Sequence, residues 1–277
     1  MNPIKKLFKS LLPPLIQDSL EKYREGRNPF LPRKTWEGTF KTFSDVPIKG
    51  GAFTEATWIE GAKKNAEYFL QGKNRRKLRG EPQVNPTPNG ISYLVSTLLS
   101  VQEKVVVLDF GGSIGSGFVL LRDCLTSTER VDYNIVETPA ICAAGTEFFR
   151  AESGIRFFSS MQEFPAAQVD LVYVNSALQY IEDLDSLLEQ FTRLKPKLIF
   201  FERLVIGEIE TYVSKQINMP GTEVPHRFLS LTDFEKKMTS LGYQLISHTG
   251  SGQNLPQSNF AKEHQIHFSR NLIFRSL

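Results

Sequence analysis

The residues with the clearest chemical potential lie at 105–117, VVVLDFGGSIGSG. An apolar run, Val105, Val106, Val107 and Leu108, suits a strand buried on both faces. It ends in Asp109 and a glycine cluster, Gly111, Gly112, Gly115 and Gly117. Glycines at such a strand end let the backbone take positive φ and let a ligand approach without a Cβ in the way, and a helix that follows at once presents free N–H groups. The chemistry this pattern suits is holding a nucleotide-type ligand against the main chain.

Glycine spacing narrows the ligand. The dinucleotide fingerprint G-x-G-x-x-G fits nowhere in 111–117, because Ser113, Ile114 or Leu120 stands where a required glycine should be. The pattern present is D-x-G-G-x-x-G-x-G. It resembles motif I of class I S-adenosylmethionine (SAM) methyltransferases, in which the acid ends the strand and the glycines lie against the amino-acid part and ribose of the cofactor. The resemblance implies cofactor contacts from Asp109, Gly111, Gly112, Ser113, Gly115 and Gly117. A glycine turn that binds nothing would give the same local pattern, so downstream residues have to decide.

In a doubly wound sheet, ligands bind beyond the carboxyl ends of the strands, where the strand order reverses. Glu137 ends the second strand, 20 residues after Gly117, where a carboxylate can accept from two ribose hydroxyls. Glu137-Thr138-Pro139 is equally a helix entry. Ser159, Ser160 and Met161 follow the third strand, placed either along an adenine ring or as a helix cap before Gln162 and Glu163. After the fourth strand, 175–183 resembles the methyltransferase segment that closes over the methyl group: Asn175 and Ser176 fall on the cofactor side, Gln179 and Tyr180 on the acceptor side. His226, in Pro225-His226-Arg227, is the candidate general base for a sugar hydroxyl, with Glu202, at the end of the fifth strand, the alternative base and Tyr180 beside the reaction. Arg227 is placed to bind an anionic acceptor, and Trp36 either anchors a subdomain or lines the acceptor site. Metal-ligand spacing with convergent carboxylates is not evident, and no metal is expected.

The elements needed to position these residues are legible in outline. Strands are expected at 105–108, 131–136, 155–158, 170–175, 197–204, 243–249 and 264–274, with helices at 53–71, 91–101, 139–151, 184–194 and 232–241. Such alternation predicts an α/β fold with helices on both faces of a mainly parallel sheet. The last two strands are separated by a loop rich in Gly, Ser, Asn and Pro at 250–263, with no room for a crossover helix, so they should pair antiparallel. The expected fold is therefore the class I methyltransferase (Rossmann-like) doubly wound sheet of seven strands with a C-terminal antiparallel hairpin. A mainly helical N-terminal region precedes it.

Charge supports that division. Residues 1–80 hold 17 Lys or Arg against 8 Asp or Glu, a net +9, whereas residues 81–277 hold 16 against 22, a net −6. The boundary is set in the proline-rich 81–90, giving a basic region at 1–88 and a cofactor-binding domain at 89–277. Ile4, Leu7, Phe8, Leu11 and Leu12 recur at helical spacing among Lys5, Lys6 and Lys9, which suits either packing on the protein's own core or lying peripherally on an anionic membrane surface through residues 1–14. The basic run 73–79 lacks the interleaved aromatics of a nucleic-acid site, and no nucleic-acid partner is expected; a solvated loop or a rim for an anionic substrate fits it. Cys124 and Cys142 read as buried thiols of a reducing compartment, and no signal-peptide or transmembrane run is evident, so a cytoplasmic protein is expected.

The glycine motif, Val136-Glu137, 175–183, Trp36-Glu37-Gly38 and Leu241-Gly242-Tyr243 together are similar to a family of bacterial SAM-dependent methyltransferases often associated with surface-polysaccharide biosynthesis. The resemblance is specific over 104–204 and looser elsewhere. It implies O-methylation of a sugar or glycan precursor, with SAM as cofactor and S-adenosylhomocysteine (SAH) as product. Two other readings stay open: a SAM-binding or scaffold protein without turnover, and an NAD-type oxidoreductase, the latter disfavoured by glycine spacing.

Overall fold

The computed structural model describes residues 35–48, 56–70, 90–165, 168–217 and 223–277. The helical pattern within residues 1–14, the basic run at 73–79 and all but the last residue of the 81–90 boundary lie outside the described residues.

Strand β1 (Trp36–Phe40) and helices α1 (Ala56–Leu70) and α2 (Gly90–Leu99) precede an alternating series. It runs β2 (Val105–Phe110), α3 (Ser116–Cys124), β3 (Val131–Val136), α4 (Pro139–Phe148), β4 (Ile155–Phe158), β5 (Leu171–Asn175), α5 (Leu184–Arg193) and β6 (Leu198–Leu204). Then follow β7 (Ile206–Gly207), β8 (Tyr212–Gln216), β9 (Val224–Ser230), α6 (Leu231–Ser240), β10 (Tyr243–Asn254) and β11 (Phe268–Ser276).

The main sheet has seven strands in the order β10-β11-β6-β5-β2-β3-β4. Strands β2 to β6 are mutually parallel, and β11 is antiparallel to both β6 and β10. The chain leaves β2 towards β3 and β4, then returns to build β5 and β6 on the other side, so the strand order reverses between β2 and β5. This is the class I methyltransferase fold with its terminal antiparallel hairpin.

Successive strand residues face opposite ways, which gives the sheet two cores. Val105, Val107, Tyr133, Ile135 and Tyr173 pack with Ile91 and Val95 of α2 and Phe118 of α3. Leu108, Val172, Val174, Phe201 and Phe274 face Leu188 and Phe191 of α5 and Phe234 and Met238 of α6. Local chemistry fixes the helix starts on this second face: Asp183 accepts from the Ser186 N–H at 3.0 Å ahead of α5, and Ser230 accepts from the Asp233 N–H at 3.3 Å ahead of α6.

A second sheet, order β1-β8-β9-β7, is the feature that sequence reasoning missed, since it assigns no strand between 204 and 243 and none before 105. Its hydrophobic centre brings together Trp36, Tyr212, Phe228, Leu255, Phe260 and Ile266. Two segments placed before residue 89 are woven into the rest: β1 pairs antiparallel with β8, and Ala66 of α1 joins the core of the main sheet. Cys142 is buried as expected, but Cys124 is exposed, because it falls on the last residue of α3 where the helix leaves the sheet. Among the described residues no helix is long and apolar enough to cross a membrane.

Phe201 has no exposed surface and meets Phe234 and Phe274 edge-on at 5.2 and 6.0 Å between ring centroids. Phe201→Ala should lower the unfolding free energy by about 3–5 kcal/mol, measured as a shift of the urea midpoint at unchanged slope.

Candidate functional site

The turn after β2 is shaped by what lies beneath it. Asp109 is 1% exposed, and the Tyr133 hydroxyl donates to its Oδ2 at 2.7 Å. A Cβ on Gly112 would stand 2.4 Å from that same oxygen, and a Cβ on Gly117 would stand 2.4 Å from the Tyr133 hydroxyl. The chain can pass over the buried pair only as glycine. Gly111 and Gly115 are needed for another reason as well, with φ of 71° and 74° in the left-handed region. The result is a bare main-chain cradle leading into α3, whose N-cap Gly115 offers no side-chain capping bond.

Glu137 reaches this cradle from the end of β3. Its Oε1 accepts from the Ser113 N–H at 3.2 Å and its Oε2 from the Thr138 N–H at 2.8 Å, so it both fixes the turn and leads into α4. Each carboxylate oxygen has a second lone pair, which leaves capacity for ligand hydroxyls. Asp109 is the correction here. It is the floor of the turn, covered by the glycines, and has no face open to a ligand. Burial pushes its carboxyl up to about 7, against the Tyr133 hydrogen bond, with Glu137 and Glu202 adding like charge. Glu137 is raised too, again by burial, with the Thr138 and Ser113 N–H groups pulling the other way.

A second polar group sits at the ends of β5 and β6, where Asn175 pairs in register with Glu202. Tyr173 donates its hydroxyl to Glu202 Oε2, and Asn175 Nδ2 lies 2.9 Å from the same oxygen and 2.7 Å from the Tyr173 hydroxyl. Arg203 Nε donates to Asn175 Oδ1 at 2.7 Å. Burial raises the Glu202 carboxyl, opposed by Tyr173 and Arg203. Sequence reasoning missed Tyr133, Tyr173 and Arg203. The two tyrosines look like core residues inside strands; Tyr133 pairs with Val107 and Tyr173 with Phe200, each two residues before the acid that its hydroxyl reaches on the neighbouring strand.

Ser176 follows in left-handed conformation at φ 56°, and its Oγ accepts from Gln179 Nε2 at 3.0 Å. The Tyr180 hydroxyl donates to Gln216 Oε1 of β8 at 2.9 Å, and burial raises that phenol to about 12, with Gln216 and Gln179 opposing. This brings 175–180 against the small sheet. Ser159 and Ser160 act otherwise than as ring contacts: the Ser159 N–H and hydroxyl both donate to Glu163 Oε2, at 2.9 and 2.6 Å, and Ser160 Oγ accepts from the Glu163 N–H at 3.3 Å. They cap their own turn. Met161 beside them is half-buried and packs on the core of the sheet's second face.

The acceptor-side candidates need the largest correction. His226 lies on β9, 2% exposed, its ring 5.3 Å from both Trp36 and Tyr180 and 4.9 Å from Phe228. Burial pushes its imidazole down to about 3, which keeps it neutral and a poor proton acceptor at neutral pH. Trp36 is 5% exposed and packs edge-on to Phe228, so it anchors the small sheet. Arg227 donates to the carbonyls of Ile181 and Glu182 at 2.7 and 2.8 Å and lies over the Phe43 ring at 4.7 Å. Its guanidinium is engaged in tying β9 to the segment after β5. Among the described residues no group of three His, Cys, Asp or Glu side chains is arranged to hold a metal ion.

No family model matches the sequence, and no curated protein does. Among solved structures, the chain is similar to the Burkholderia thailandensis 1,6-didemethyltoxoflavin-N1-methyltransferase with bound 1,6-didemethyltoxoflavin and SAH. That match has 13% identity and a TM-score of 0.47, over 83% of this chain and 93% of that one. It is also similar to a SAM-dependent methyltransferase of Clostridium acetobutylicum, at 11% identity and TM-score 0.48, over 77% and 98% of the two chains. A third, from Mesorhizobium loti, matches at 12% identity and TM-score 0.44, over 68% and 99%. These likenesses are distant, and the fold assignment rests on the strand order.

Gly117→Ala should destabilise the protein through the Tyr133 hydroxyl. In a Tyr133→Phe background the same substitution should cost less, since the contact at 2.4 Å is gone. Urea unfolding of the four proteins should give a coupling of about 0.5–3 kcal/mol, and additive effects would contradict this account of the turn.

Proposed function

We propose that the protein is a SAM-dependent methyltransferase, and that the observation carrying this reading is the Glu137 carboxylate bonded across to Ser113 in the glycine turn. An acid at that place can take the ribose hydroxyls while the glycines admit the rest of the ligand to main-chain contact. The absence of a third glycine at dinucleotide spacing argues against NAD. When bound, SAM supplies a methyl group already activated by its positive sulfur. The protein's share is alignment and exclusion of water.

This chain's residues divide that work. Gly111, Gly112, Ser113 and Glu137 would bind and orient the cofactor; Asn175 and Ser176, held by Glu202, Arg203 and Gln179, would fix the methyl-bearing end. Gln179 and Tyr180, backed by the small sheet, would form the acceptor wall. We assign proton acceptance to Glu202 in place of His226. Oxygen Oε2 of Glu202 is occupied by Tyr173 and Asn175, so Oε1 is the atom left to take a hydroxyl proton, and burial makes the carboxylate a stronger base than a solvated one. A carboxylate there favours a hydroxyl acceptor, in keeping with O-methylation of a sugar or glycan precursor in the cytoplasm. The membrane contact through residues 1–14 belongs to the same reading.

Calorimetric titration with SAM, SAH and NAD should show saturable binding of the first two alone; binding of NAD alone, or of none of them, would overturn the proposal. Glu137→Ala should weaken SAM binding by about 10–100-fold, from loss of a charged hydrogen-bonding partner. Glu202→Gln should lower labelled methyl transfer to sugar acceptors by about 10²–10⁴-fold at saturating SAM. Unchanged transfer would remove Glu202 as the proton acceptor.

A further inference from the structure

The acids at the carboxyl edge of the sheet outnumber the cations beside them. Asp109 is faced by Tyr133 from β3, Glu137 from the turn after it, Tyr173 from β5 and Glu202 from β6. On the α3 side a Cβ on Gly117 would stand 3.1 Å from its Oδ2, while Arg122 of that helix is paired with Glu152 at 2.8 Å. Arg203 acts on Glu202 and donates its Nε to Asn175. Asp109 itself has one hydrogen bond, from Tyr133, and its Oδ1 is buried without a partner among the described residues. A carboxylate so placed is poorly supported, and the neutral acid is the favoured form.

SAM and SAH differ at this edge by one charge, the sulfonium of SAM against the neutral thioether of SAH. A cation brought to a cluster of acids favours their ionised forms, and linkage makes the effect mutual. Resting on the methyltransferase reading, we infer that Asp109 is a charge sensor for the sulfonium: neutral beside the thioether product, ionised beneath the charged cofactor, so that preference for cofactor over product grows with rising pH. The proton leaves to solvent when SAM binds. After transfer the C–S bonding pair stays on sulfur, the positive charge at the site is gone, and Asp109 takes a proton back from solvent. The turn that holds the cofactor then holds the product less firmly.

Titration of the full chain with SAM and with SAH from about pH 6 to about pH 8.5 reads this directly. The ratio of SAH to SAM dissociation constants should rise several-fold across that range, with a limit of about tenfold for each unit by which SAM lowers the Asp109 pKa. The amino groups of both ligands titrate nearby, so the wild type is compared with Asp109→Asn, in which the Asp109 contribution should vanish. Tyr133→Phe removes the donor that supports the ionised acid and should move the inflection to higher pH. Titration in buffers of different ionisation enthalpy should show extra proton release with SAM over SAH. Difference infrared spectra of the wild type should show a protonated-carboxyl band lost on adding SAM, a readout that holds even where the variants fail to fold. Equal pH dependence in Asp109→Asn, equal proton release by the two ligands, or no loss of that band would overturn the inference while leaving cofactor binding in place. Failure of both ligands to bind would remove the methyltransferase reading and the inference with it.

Discussion

The hydrogen bond between Tyr133 and Asp109 is the constraint on which the site depends. Both groups are buried at the end of a parallel strand pair, and together they occupy the space where Cβ atoms of Gly112 and Gly117 would otherwise sit. The glycines are thus required from below, by the protein's own interior, as much as from above by any ligand. The pair also links the turn to pH. Asp109 is raised from 3.8 to about 7 in the folded chain, so its contribution to stability is fully present below the unfolded value and is lost as pH rises through about 7. Burying that acid is a cost at neutral pH, offset by the packing of the sheet around it.

Strain is gathered at the same edge. Three non-glycine residues with positive φ, Ser113, Ser176 and Arg203, come just after or at the ends of β2, β5 and β6. Each is held in place by a specific bond. The Ser113 N–H donates to Glu137, the Ser176 N–H donates to the Glu202 carbonyl at 3.0 Å, and the Arg203 N–H donates to Asn271 Oδ1 at 2.9 Å. Lys195, the fourth such residue among those described, lies just after α5 at φ 47° and accompanies an ordinary helix ending. Backbone conformations that cost energy persist where surrounding bonds over-determine them, and here they aim polar groups at one crevice.

The sheet was legible in the sequence because parallel strands buried on both faces leave continuous apolar runs, as at 105–108 and 171–174, and because helices between them carry caps such as Asp183. The small sheet was not, since its first member, β1, lies far from the others in sequence. One signal was present: Val224, His226 and Phe228 alternate with Pro225 and Arg227, the period of a half-buried strand. Reading His226 as a general base followed from missing that alternation, which buries its ring. In the same way Asp109 looked like a ligand contact because sequence shows that an acid ends a strand, whereas which way its side chain points depends on pairing register. Glu137 was easier to place, because it falls outside the strand and has only the crevice to face.

The two halves of the crevice are therefore built on different physical terms. The glycine-turn side is built from residues 109–137 and from the neighbouring strand ends, a contiguous unit whose geometry the parallel register sets. The acceptor side is assembled from pieces far apart in the chain: Tyr180 is bonded to Gln216, Arg227 to the carbonyls of Ile181 and Glu182, and Trp36 of β1 packs on His226 and Phe228. These links cross from the main sheet to the small one and hold the acceptor wall to the segment after β5. A change in any strand of the small sheet can then reshape the acceptor wall without touching the glycine turn. That separation explains why the motif for the first half can be read from a short stretch of sequence while the second half can be read only from the folded chain.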